Sequence, residues 1–155
     1  MQLKNVKLSW VKLDANNPDL GFDKQTPQYS VQVATDSKDD ANAYTKAGIK
    51  FKPEEEDGKI VYKARLKKKI WKNADGKNDT PAPFVVDKNL EPVTNVASIG
   101  NGTVANVQVR FKPYDFQGNK GISVILVGLQ VVDLVEYKSG NEMEFSAIDT
   151  DKEVI

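Results

Sequence analysis

The stretch KIVYKARLKKKIW at residues 59–71 alternates along its whole length. One parity holds Ile60, Tyr62, Ala64, Leu66 and Ile70, with Lys68 as the exception. The other holds Lys63, Arg65, Lys67, Lys69 and Trp71. A period of two is the mark of a strand with one buried face. The same signal recurs at residues 29–35 and 103–114, while residues 3–13, rich in Val, Leu and Lys, read as a first strand and residues 122–136 as a long strand with a buried middle. Each run is β-branched and bounded by Gly, Pro, Asn or Asp. Residues 84–87 suit a short additional strand. One segment favours helix: Ser37 caps residues 38–46, Asp39 and Asp40 fall in the first turn, and Gly48 follows the end. Five or more strands and one short helix in 155 residues predict a mainly β domain, a small closed or half-closed barrel. Residues 16–27 and 72–83 are polar and read as loops, and so does PEEEDG at 53–58. The barrel is set at residues 1–138. Residues 139–155 lack a sustained period and read as a flexible acidic tail.

Charge narrows the function. The chain carries 22 Lys+Arg and 22 Asp+Glu, a formal net charge of zero. Neutrality argues against a nucleic-acid partner only where charge is evenly spread. Here residues 59–72 net +7, while residues 53–58 and 141–155 net −4 each. The zero is a cancellation between a basic strand and two acidic segments. There is no Cys and no His, which excludes disulfide frameworks, thiolate nucleophiles, Ser-His-Asp triads and ordinary zinc sites. The longest apolar run, residues 122–129, is too short to cross a bilayer, and the N-terminal residues show no signal-peptide core. The expectation is no membrane association and a cytoplasmic protein.

On the polar face of residues 59–71, Lys63, Arg65, Lys67, Lys69 and Trp71 point the same way at intervals of about 6.5–7 Å. That repeat is close to the phosphate spacing of an extended nucleic-acid strand. Four like charges in a row repel unless an anion lies over them. Lysines that guard a sheet edge against aggregation explain the charges, but not a tryptophan on the polar face. A base stacks on such a ring at about 1–3 kcal/mol, whatever the sequence. The run from 104 to 114 repeats the pattern: Ala105, Val107, Val109 and Phe111 read as core, while Asn106, Gln108, Arg110, Lys112 and Tyr114 face outward, with Phe116 following in parity. A solvated face ending in a hairpin at 115–121 is the plainer account of the second run. Two basic faces ending in aromatics outline a positive groove with stacking platforms, the description of a single-strand binder. Trp10 follows Val6 and Leu8 at period two and reads as core first, with a stacking role second.

The tail, NEMEFSAIDTDKEVI, alternates acids with apolar residues. It suits either the basic groove or a partner's basic pocket, with Asp149, Asp151, Glu153 and Ile155 as contacts. A solubilising terminus is the plain alternative. The acids at residues 54–57 form only a local cluster, a weak signal for a metal or for a carboxylate-based nuclease. A virion or carbohydrate-binding β-sandwich accounts for strands and exposed aromatics, but not for basic stripes.

Three segments, LKNVKLSW, SIGNGTVANVQVRFKPYDF and GISVILVGLQVVDLVEY, resemble the single-stranded-DNA-binding proteins of tailed bacteriophages, above all the replication protein of short-tailed phages. The resemblance spans most of residues 1–137, and its most specific part is a Gly-Asn-Gly turn leading to Lys-Pro-Tyr-Asp-Phe. It implies an OB-fold barrel and a DNA groove of basic and aromatic side chains. It also implies an acidic tail that screens the groove and recruits replication proteins such as polymerase and helicase/primase, and it admits a homodimer. This tail departs from the family's better-known ones, which are more acidic and end in an aromatic residue. The reading is a non-enzymatic protein that binds single-stranded DNA with little sequence preference in phage replication and recombination. No cofactor is implied. Lys63, Arg65, Lys67, Lys69, Arg110 and Lys112 are assigned to phosphates, and Trp71, Tyr114, Phe116 and, second, Trp10 to bases.

Overall fold

The structure is a computed structural model, and it describes residues 1–14, 18–20, 27–71, 74–77 and 80–136. The strands are β1 (Gln2–Lys12), β2 (Gln28–Thr35), β3 (Lys52–Glu56), β4 (Lys59–Lys69), β5 (Phe84–Val86), β6 (Val104–Phe116) and β7 (Asn119–Asp133), with one α-helix, α1 (Lys38–Ala47), and a short 3-10 turn at Val96–Ser98. The sheet order is β3-β4-β2-β1-β6-β7-β5, and β4 also pairs with β7. That last pairing, parallel at Lys67 and Ile125, closes β4, β2, β1, β6 and β7 into a five-stranded barrel of OB-fold type. The alternating apolar residues fill it: Leu3, Val6 and Leu8 of β1, Tyr29, Val31 and Val33 of β2, Leu66 of β4, Val107 and Val109 of β6, and Leu126 and Leu129 of β7 are all buried. The helix begins where expected, since the Ser37 hydroxyl accepts from the Asp40 backbone N–H at 3.1 Å, and Gly48 follows it at φ +120. Among the described residues no helix is long and apolar enough to cross a membrane.

Two expectations change. PEEE is not a loop but most of edge strand β3, antiparallel to β4 from Lys52 opposite Lys63 to Glu56 opposite Lys59. An edge strand outside the core buries neither face, so it carries no alternation. The turn to β4 is Asp57-Gly58, both at positive φ, as a two-residue hairpin requires. Trp10 is not core. Two irregularities in β1 centre on Asn5 and Trp10, each at φ 52. Side-chain amides satisfy the freed backbone donors: Asn106 Oδ1 accepts from Asn5 N–H at 3.0 Å, and Asn101 Oδ1 accepts from Trp10 N–H at 2.9 Å. The second bulge shifts the parity by one. Leu8 before it and Leu13 after it are buried, while the Trp10 ring is 59% exposed.

Candidate nucleic-acid interface

β6 pairs with β7 so that Arg110 lies opposite Ile125, Lys112 opposite Ser123 and Tyr114 opposite Gly121. β4 meets β7 at the same Ile125 through Lys67. Paired residues share a face, so Lys67, Ile125 and Arg110 form one rung on the outside of the barrel. Two strand spacings, about 10 Å, separate the two basic backbones. β4 runs parallel to β7 and β6 runs antiparallel to it. Lys69 and Trp71 therefore continue from this rung in one direction, and Lys112 and Tyr114 in the other. These residues line an open cleft of about 600 Å³, together with Lys68, Thr80, Ser123 and Val124.

The aromatic rings are held but uncovered. Trp71 is 65% exposed, and the Lys69 ammonium sits 5.9 Å from its ring centroid. Its backbone is clamped by Thr80, whose Oγ1 accepts from Trp71 N–H at 2.7 Å. Beside it, Lys68 donates to the Pro81 carbonyl at 2.8 Å and Tyr29 Oη to the Thr80 carbonyl at 3.0 Å. On the opposite side, Tyr114 lies across Gly121. A Cβ there would overlap the ring and its hydroxyl, so only glycine lets the ring rest on β7.

The expected basic face of β4 is divided. The Lys63 ammonium pairs with Glu54 at 3.3 Å and, more closely, with Glu56, both on β3. Glu56 first, and Glu54 with it, raise the Lys63 pKa above the ordinary lysine value. Arg65 donates to Asp19 Oδ2 at 3.2 Å. The anion that the charge row requires is thus supplied by the protein over the first half of β4. Among the described residues, no carboxylate comes within ion-pair distance of Lys67, Lys69, Arg110 or Lys112.

The structure therefore brings Lys67, Lys69, Arg110, Lys112, Trp71 and Tyr114 into one cleft and leaves Lys63 and Arg65 outside it. Phe116 is 65% exposed at the β6–β7 hairpin, opposite Asn119, and does not line the cleft. Trp10 lines a different cleft with Val11, Leu13, Val96 and Ile99. Asp149, Asp151, Glu153 and Ile155 lie outside the described residues. Among the described residues no group of three or more acidic side chains is placed to hold a metal ion. Sequence reasoning missed Lys68, Thr80, Ser123 and Ile125. Lys68 has the inward parity, and the other three carry no charge or aromatic ring to mark them.

The architecture recurs in solved phage proteins. The gp2.5 single-stranded DNA binding protein of bacteriophage T7 matches over 94% of this chain and 97% of its own, at 17% identity and a TM-score of 0.56. The single-stranded DNA-binding protein of bacteriophage Enc34, solved in complex with ssDNA, matches over 85% of both chains at 17% identity and a TM-score of 0.55. At such identities the likeness carries the fold. No curated protein matches the sequence. A family model does: that of the ssDNA-binding protein of Enterobacter phage Enc34, over residues 57–155. That match takes in β4, β6 and β7, which build the cleft, and on it the chain belongs to the family of phage ssDNA-binding proteins typified by Enc34.

Proposed function

We propose that this chain binds single-stranded DNA with little sequence preference, without catalysing a reaction, and shields it during phage DNA replication and recombination. The observation that carries the reading is the cleft in which Lys67, Lys69, Arg110 and Lys112, with no carboxylate at ion-pair distance among the described residues, lie between the exposed rings of Trp71 and Tyr114. Lys67, Lys69, Arg110 and Lys112 take phosphates, and the two rings take bases. Neither needs a particular base, because phosphates are uniform and every base has a π-face. The acids proposed for a nuclease have another use, since Glu54 and Glu56 hold Lys63.

Oligothymidine is expected to quench the tryptophan fluorescence through Trp71. Four phosphate contacts predict a slope of log affinity against log salt of about −3 for a single strand. An unquenched titration, equal binding of duplex, or magnesium-dependent degradation of the DNA would each defeat the reading.

In the same proposal, residues 141–155, with a net charge of −4, compete with DNA for the cleft and present Asp149, Asp151, Glu153 and Ile155 to replication proteins. A chain ending at residue 140 is expected to bind DNA more tightly than the full chain at low salt, with the difference shrinking as salt rises. Equal affinities would remove the screening role. The site of action in this proposal is the host cytoplasm.

A further inference from the structure

β7 changes partner along one edge. β4 touches it at Ile125, and three residues later β5 takes over, with Phe84 opposite Gly128, Val85 opposite Leu129 and Val86 opposite Gln130. Across the other edge, Gly128 faces Gln108 of β6, the next outward residue after Arg110. The outer face of β6 is thus continuous from Tyr114 through Lys112 and Arg110 to Gln108 and Asn106. Its first part lines the basic cleft, and its last part lines a second cleft of about 130 Å³ with Phe84, Gln2 and Gln130.

This second cleft carries the stacking device of the first. The Phe84 ring lies on Gly128 as the Tyr114 ring lies on Gly121, and a Cβ at either glycine would overlap the ring above it. Both rings are 48% exposed. Among the described residues no charged side chain lines this end. Its polar groups are amides, and Asn106 Nδ2 donates to Gln130 Oε1 at 3.0 Å, which orients both. From Tyr114 to Gln108 is six residues of β6, or about 20 Å, and three outward side-chain intervals.

Resting on the proposed single-strand binding, we infer that the DNA path continues past the Lys67–Ile125–Arg110 rung, and that a nucleobase stacks on Phe84 with the Gln108 amide at its edge. The basic rungs hold phosphates in the middle, and Tyr114 and Phe84 hold bases at either end. Continuity along one strand face favours a nucleic-acid occupant here. The amide lining suits base edges, which present both donors and acceptors.

The test uses the full chain and oligothymidines of about four and about twelve nucleotides, within the range of OB-fold site sizes. Phe84→Ala is expected to weaken binding of the longer strand about five- to a hundredfold. It should leave the shorter strand, which the basic rungs alone hold, unchanged, and it should leave the salt slope unchanged because no phosphate contact is lost. Phe84→Tyr should restore affinity for the longer strand. Gln108→Glu, a surface change that does not depend on the Phe84 packing, should weaken the longer strand selectively by setting a negative charge in its path. Unchanged affinity for the longer strand in both Phe84→Ala and Gln108→Glu overturns the inference, and so does an equal loss at both lengths. Failure of the unaltered chain to bind either strand would instead defeat the proposed function itself.

Discussion

Lys67→Glu combined with Lys69→Glu is expected to weaken single-stranded DNA binding by about two to three orders of magnitude at low salt. Each hydrogen bond to a charged partner contributes about 1.5–3 kcal/mol, and the new carboxylates repel the phosphates they replace. The loss should be the same for every base sequence, since phosphates carry no sequence information. The salt slope should fall by about 1.4 as two contacts disappear. The informative control is the other half of the same strand. Lys63 and Arg65 are already matched to Glu54, Glu56 and Asp19. Lys63→Glu with Arg65→Glu should therefore loosen the β3 edge while moving DNA affinity far less. Fluorescence anisotropy across a salt series reads both variants. An equal loss from the two pairs would show that β4 acts as one undivided field, against the partition described above.

Gly121→Val is expected to cost about 1–3 kcal/mol of stability through overpacking and to weaken DNA binding about five- to a hundredfold through loss of the Tyr114 platform. The cause is local: the added side chain occupies the space where the Tyr114 ring lies. A double-mutant cycle isolates it. With Tyr114→Ala in place, Gly121→Val should cost little in either stability or affinity, because valine suits a strand once the ring is gone. Denaturant unfolding and DNA titration of the four proteins complete the cycle. Additive effects would mean that the glycine and the ring act separately.

The elements were legible because alternation in β2, β4 and β6 matches the burial of their inward residues, β7 shows the buried middle its apolar run implies, and the resemblance of residues 99–116 to phage proteins named the fold. What parity cannot supply is register. Lys67 and Arg110 are far apart in sequence and meet only because both lie beside Ile125. The same gap hid the partners of Lys63, which belong to an edge strand without a buried face. Trp10 was misread because one bulge inverts all later parity, and its signature is a side-chain cap from Asn101, distant in sequence. Phe84 had a weak signal in Gly128: a glycine inside an otherwise β-branched strand marks a close approach by something else.

Among the described residues β4 pairs with β7 at one position, Lys67 with Ile125, whereas β6 and β7 pair from end to end. A joint of that kind has the fewest paired residues of the named strand pairs, so amide exchange in the free protein is expected to be fastest there. The cleft lies directly over it. On the proposed binding mode, a strand of DNA held by Lys67 on one side and Arg110 on the other is a clasp, and its binding energy is expected to add to the closure of the barrel. The ligand would then complete the wall it rests on, and the expected result is a protein whose unfolding midpoint rises when it is loaded.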